Sequence, residues 1–289
     1  MADFSTDYLN RFGGIGRLYG NQALAALQRA HFVVVGIGGV GTWAAEALAR
    51  TGVGSLTLVD LDDICVSNSN RQIHTLADTI GQMKTEVMAQ RLRAINPELN
   101  VHAVADFIHA KNLSTIITDA HTGVLDAIDS TKSKAALIAY CKRRKLPFVT
   151  VGSAGGKRDP RAITSGDLTR TTNDPLLAKV RNTLRREYGF SRNTRRVFSV
   201  EAIYSTEQMT YPDGNGETCH SAAGLGDSVR LDCSGGFGAA TMVTGSFGFV
   251  AASRLVDIYL RKEALKAARR QDAQVKQELE NEQQPENDS

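Results

Sequence analysis

Residues 32–41 read Phe-Val-Val-Val-Gly-Ile-Gly-Gly-Val-Gly, and this stretch decides the fold. The run of four apolar residues, three of them β-branched, predicts a buried strand. Directly behind it, Gly36, Gly38 and Gly41 supply the G-x-G-x-x-G spacing, and a helical apolar pattern begins at Val40. A strand feeding a helix through a glycine turn brings backbone close to a ligand. The first helical turn then presents unpaired N–H groups and positive potential, which suit a phosphate. Asp60 ends the next apolar run, where such units place a carboxylate to accept ribose hydroxyls. A tight turn with no ligand is the bland alternative, and the strand-turn-helix setting argues against it. The fingerprint alone does not separate NAD from ATP.

Working outward, short β-branched runs alternate with amphipathic stretches from His31 to Gly152. Strands are expected over 32–36, 55–60, 101–106, 123–129 and 147–152, and helices over 40–50, 83–95 and 133–144. That alternation predicts an α/β fold, a doubly wound, mostly parallel sheet whose nucleotide-binding half covers about 31–152 and is Rossmann-like. After Gly152 come a polar, Arg-rich stretch, a Gly-punctuated loop over 212–226, and an apolar Gly/Ala-rich helix around 236–260. This C-terminal extension is expected to pack on the sheet, because the last helix is apolar on most faces. Residues 1–30 read as an N-terminal arm, 31–260 as the main domain, and 261–289 as a fraying helix followed by a disordered tail.

Composition narrows the classes. At 289 residues and 42% hydrophobic content the chain can bury a large core. The start, MADFSTDYLNRFGG, shows neither a secretory nor an organelle-import pattern, so cytoplasm is expected. The most apolar stretch, 242–250, is interrupted by glycine and serine and is too short for the ~20 residues of a spanning helix, so no membrane partner is expected. Cys65, Cys141, Cys219 and Cys233 form no close pair, which argues against both a disulfide framework and structural zinc. A net charge of +3 names no partner.

The stretch Asp60-Leu-Asp62-Asp-Ile-Cys-Val-Ser67-Asn68-Ser-Asn70-Arg71-Gln72, followed by Lys84, separates the ligand classes. Hydride transfer has no use for Arg, Lys and Asn gathered near phosphates. Adenylation does: when a carboxylate attacks the α-phosphorus and expels pyrophosphate, charge on the equatorial and leaving oxygens must be neutralised by Arg, Lys and Mg2+.

With Gly36, Gly38, Gly39, Gly41, Asp60, Asp62, Ser67, Asn68, Arg71, Gln72 and Lys84 in this order, the chain resembles the E1-like (ThiF/MoeB/HesA) superfamily. The resemblance implies that Asp60 holds ribose, Asn68 and Arg71 the phosphates, and Lys84 the pyrophosphate side. It makes Asp129 the Mg2+-associated carboxylate. Asp126 is favoured as a structural partner of a nearby backbone N–H. Superfamily members often lend an arginine from the N-terminal arm of a second subunit. Here the arm departs from that pattern, leaving Arg11 and Arg17, with Arg17 preferred.

Paired C-x-x-C zinc hooks of sulfur-carrier-activating members are absent. Stretches around Arg11–Gly20, Asp129–Cys141 and Asp232–Thr244 resemble instead the tRNA threonylcarbamoyladenosine dehydratase branch. That resemblance implies a cytoplasmic homodimer that uses ATP and Mg2+ on tRNA carrying threonylcarbamoyladenosine. It leaves open a monovalent cation, a sulfur-mobilising protein partner and the role of Cys233. Cys233 stands before a predicted helix, where a thiol can be activated or can simply be a small packing residue. Lys179, Arg181, Arg185, Arg186, Arg192, Arg195 and Arg196, against the lone acid Glu187, form the candidate tRNA contact. Two other classes stay in view: an E1 that adenylates a protein C-terminus, and a non-catalytic nucleotide-binding scaffold.

Overall fold

The computed structural model describes residues 4–213, 217–220 and 238–282, with side chains through residue 278. The helices in chain order are α1 (Thr6–Tyr19), α2 (Asn21–Gln28), α3 (Gly41–Arg50), α4 (Lys84–Ile95), α5 (Leu113–Ile116), α6 (Thr131–Arg143), α7 (Pro175–Glu187) and α8 (Thr241–Glu282). The sheet strands are β1 (His31–Val35), β2 (Ser55–Val59), β3 (Asn100–Val104), β4 (Gly123–Asp126), β5 (Phe148–Val151), β6 (Ile163–Asp167) and β7 (Glu201–Ser205).

They form one seven-stranded sheet in the order β3-β2-β1-β4-β5-β7-β6. All neighbours pair in parallel except β6, which runs antiparallel to β7. Because β1 lies between β2 and β4, the loops leaving β1 and β4 diverge and open a crevice at the carboxyl edge. The fold class and the first five strands match the expectation to within a few residues. β6 and β7 were not expected: β6 reads Ile-Thr-Ser-Gly-Asp and carries no apolar run that would mark it.

Both faces of the sheet are covered, as an all-parallel core requires. On one face α3, α4 and α8 bury Leu48, Met88, Phe247, Leu255 and Tyr259; on the other α6 and α7 bury Leu137, Ile138, Val180 and Leu184. Each of the fully buried Leu, Ile and Val side chains among these contributes about 2 kcal/mol. α8 approaches α3 through a glycine: a Cβ on Gly248 would stand 2.7 Å from the Val40 carbonyl oxygen and 2.8 Å from Trp43 Cβ.

Two expectations change shape. The 1–30 arm folds over its described part as α1 and α2, with Tyr8 and Phe12 buried and the Tyr8 hydroxyl donating to the Gly52 carbonyl at 2.5 Å. The apolar helix begins at Thr241 rather than at 236, and the helical part of the 261–289 reading continues it as one helix to Glu282; the expected tail over 283–289 lies outside the described residues. The Ala, Lys, Arg, Glu and Gln that fill 261–282 are strong helix formers, which extends the helix although the side chains from Leu265 to Glu278 are exposed.

Candidate active site

A cavity of about 870 Å³ opens at the carboxyl edge between the loops after β1, β2, β3 and β4. Gly36, Gly38, Asp60, Asp62, Asn68, Arg71, Gln72, Lys84 and Asp129 all line it, although they span more than ninety positions of sequence. The glycines are required by geometry. Gly36 has φ +88°, and a Cβ there would meet the Ala127 carbonyl oxygen at 2.9 Å; one on Gly41 would lie 1.8 Å from the Gly36 carbonyl oxygen. α3 begins at Gly41 with no side-chain cap; its Thr42 and Ala44 N–H groups donate to the Gly38 and Val40 carbonyls at 3.1 and 3.0 Å, and the positive end of the helix faces the glycine turn.

The Asp60 carboxylate ties this loop down. One oxygen accepts from the Ile37 N–H at 2.7 Å and the other from the Asp62 N–H at 2.9 Å. Burial raises its pKa above the ordinary carboxyl value, against the opposing pull of Lys84 and those two N–H groups. Asp60 is thus a brace for the glycine loop, in addition to the ribose role expected of it. Lys84 Nζ sits 2.7 Å from Asp62, with Lys84 buried and Asp62 half exposed. Asn68 closes its own turn, accepting from the Cys65 N–H at 3.0 Å.

Among the described residues Arg71 donates only to neutral acceptors, the Ser67 carbonyl at 2.8 Å and Asn70 at 2.9 Å, and no carboxylate among them cancels its charge. Asp106, Phe107, Ile108 and Ser130 also line the cavity and were not singled out from sequence. Their signal was positional: they follow the carboxyl ends of β3 and β4.

A second cavity, about 410 Å³, adjoins the first and shares Ser67, Arg71, Ala127, Ile128 and Asp129 with it. Its far wall is the loop Gly152–Gly155, the start of α7 with Lys179, and the start of α8 with Ala239 and Thr244.

Against this geometry, a model described as the ThiF family matches residues 14–286. The chain belongs to the ThiF family. Within that family it is 51% identical over 265 residues to the tRNA threonylcarbamoyladenosine dehydratase of Escherichia coli strain K12, covering 92% of this chain and 97% of that one. The dehydratase of the same name from Haemophilus influenzae is 50% identical over 89% of this chain and 96% of its own. The solved structure of the E. coli enzyme, TcdA, in complex with ATP superposes with a TM-score of 0.81 at 48% identity, covering 91% of this chain and 99% of that one.

For a ThiF-family nucleotide site, Asp129 is suitably free. It is exposed on the wall common to both cavities and forms no ion pair among the described residues. A lone exposed carboxylate on that wall is the kind of donor that Mg2+, commonly held by one carboxylate together with phosphates and water, would use. No group of three or more metal-ligating side chains occurs among the described residues. Asp126, by contrast, is fully buried and accepts from the Ile128 N–H at 3.0 Å.

Other expected residues stand apart. Arg11 pairs with Asp7 at 3.0 Å and lies by the Ile95 carbonyl, and Arg17, exposed on α1, does not line the cleft of its own chain. Cys233 lies outside the described residues.

Within the basic stretch, Arg181 and Arg185 share a face of α7, as expected, and both are half-buried. Arg181 donates to the Thr171 hydroxyl and the Leu168 and Thr171 carbonyls, and Arg185 lies 5.3 Å over the Phe198 ring. Arg186, Arg192, Arg195 and Arg196 are exposed. Among the described residues no helix is long and apolar enough to cross a membrane.

Proposed function

We propose that the chain is an ATP-dependent tRNA threonylcarbamoyladenosine dehydratase, acting as a cytoplasmic homodimer with Mg2+. Its roughly 50% identity over nine-tenths of the chain to enzymes of that name supports the activity. The observation that carries the mechanism is the wall common to the two cavities: ATP occupies the larger, and the modified nucleoside enters the smaller, so both meet at Arg71 and Asp129.

The threonyl carboxylate attacks the α-phosphorus; a P–O bond forms there, the bond to the β-phosphate oxygen breaks, and pyrophosphate leaves. The carbamoyl group then attacks the activated acyl carbon, the acyl C–O bond to the phosphate breaks, AMP departs, and a carbamoyl N–H proton is released to solvent as the ring closes. Arg71 offsets charge on the equatorial oxygens, and Lys84, exchanging Asp62 for phosphate, offsets it on the leaving side. Mg2+, when bound beside Asp129, adds further charge neutralisation. Positioning does the remainder, since the ring-closing nucleophile is already tethered. Arg17 reaches the partner subunit's cleft. A monovalent cation and a sulfur-mobilising protein remain additions to this scheme that no residue described above requires.

The test is AMP and pyrophosphate release from ATP with three candidates: tRNA carrying threonylcarbamoyladenosine, unmodified tRNA, and a ubiquitin-like protein. Release with the modified tRNA alone is expected. Release with the ubiquitin-like protein alone would assign the chain to protein activation, and ATP binding without release from any of them would make it a scaffold.

A further inference from the structure

A fully buried ion pair lies directly beneath the loop that carries Asp129. Lys134 Nζ stands 2.9 Å from Asp126 Oδ1, and both side chains are wholly shielded from solvent. The same Asp126 oxygen accepts from the Ile128 N–H at 3.0 Å, and Oδ2 accepts from the Thr150 hydroxyl at 2.7 Å. Lys134 also reaches the Asp126 carbonyl at 3.4 Å and Thr150 Oγ1 at 3.3 Å.

Stability is a poor reason for such a pair. Removing two charges from water costs several kcal/mol per ion, and an apolar pair of similar volume commonly does as well. What an apolar pair does not supply is geometry. Asp126 ends β4, Thr150 lies on β5 and Lys134 on the first turn of α6, so the cluster clamps together three elements around residues 127–130. That loop is held from its other side as well: the Ala127 N–H donates to the Val35 carbonyl at 2.8 Å, and Ser130 caps α6. Ala127 is the residue whose carbonyl abuts Gly36. The clamp therefore sets where Asp129 stands relative to the phosphate loop.

We infer that Lys134, with Asp126, is a positioning residue for adenylation: the buried pair fixes the 127–130 loop so that Asp129 faces the α-phosphate region shared by the two cavities. This rests on the assignment of Asp129 to ATP and Mg2+ given above. A charged pair is suited to the task because its bonds are directional, and misplacement of a reacting group by about 1 Å costs on the order of a hundredfold in rate.

The experiment is a double-mutant cycle on the full chain. Lys134→Met and Asp129→Ala are made singly and together, and AMP formation with modified tRNA, ATP Kd with and without Mg2+, and Tm are measured for each. Lys134→Met is expected to slow AMP formation at least tenfold in the parent background and by less than about threefold once Asp129 is gone, because the two act as one unit. It is also expected to erase most of the difference in ATP Kd that Mg2+ makes.

Equal losses in the two backgrounds, or an unchanged Mg2+ effect on Kd, would overturn the inference. Should Lys134→Met fold poorly, Asp126→Leu/Lys134→Met removes the unpaired charge. The proposal requires that this variant regain Tm but not rate, and recovery of both would reduce the pair to packing. If Asp129→Ala by itself leaves AMP formation intact, the assignment of Asp129 fails instead, and the two failures are thereby told apart.

Discussion

At the residue scale, Arg71 and Lys84 differ in how they are prepared. Arg71 has no carboxylate partner among the described residues, whereas Lys84 is held 2.7 Å from Asp62. Each alanine substitution is expected to lower AMP formation by about a hundredfold, the scale of losing one electrostatic stabiliser. ATP affinity should separate them. Arg71→Ala weakens ATP binding, because a free cation is lost from the cavity. Lys84→Ala weakens it less, because the ion pair with Asp62 is lost with it and offsets part of the change. Equal losses of affinity by calorimetry would contradict this account of Lys84.

At the element scale, the amino-terminal side of the sheet carries histidines on β1, on β3 and just before β4. The rings of His31 and His121 are 4.4 Å apart and those of His31 and His102 5.4 Å apart, with Thr57 hydrogen-bonded to both His31 and His121. Burial first, and then the neighbouring His121 and His102, together lower the His31 pKa to about 4. His121 is lowered as well, again chiefly by burial. His74, under the nucleotide loop, is lowered to about 4 by burial and then by Lys84. The sign follows from linkage: between pH 6.5 and 4 the unfolded chain takes up protons that the folded chain refuses. Stability is therefore undiminished by these groups above pH 6.5 and falls as the pH drops below it. Tm is expected to decline between pH 7 and pH 5, and His31→Gln/His121→Gln should flatten that decline, leaving the share due to His74. A double variant with the parent's pH slope would refute the assignment.

At the scale of the whole molecule, α7 connects two regions. Its first turns border the second cavity, and its last turn leads into a loop at the opposite edge of the sheet, about 20 Å away for thirteen residues of helix. Arg192, Arg195 and Arg196 are exposed on that loop, with Lys179 at the cavity end. For the tRNA substrate proposed above, this line is the expected path of the stem when its modified nucleotide enters the cavity. Arg192→Ala/Arg195→Ala/Arg196→Ala is expected to weaken tRNA binding and to make the log–log salt slope shallower by roughly one for each phosphate contact removed, with ATP affinity unchanged. Arg181→Ala should act differently, lowering Tm while leaving the salt slope in place, because Arg181 is spent on Thr171 and Leu168. An unaltered slope in the triple variant would move tRNA to another surface.

The sequence by itself determined the parallel half of the sheet and the set of residues expected to serve a nucleotide. Strand period, glycine spacing and the run from Asp60 to Lys84 are local signals, set by backbone sterics and by the few residue types that neutralise phosphate. The structure brings nearly all of those residues to one cavity wall. Only the tertiary structure decided the rest. β6 and β7 carry weak local patterns and exist because β5 offers an edge to pair with. Whether Arg181 or Arg192 meets solvent depends on what packs against α7, which helical spacing does not contain. The second cavity joins Gly39 to Thr244, and the buried Asp126, Lys134 and Thr150 meet from three elements. Hydrogen bonds and charge pairs between distant parts of the chain leave no period in the sequence, so their partners are fixed only when the sheet and its helices close upon one another.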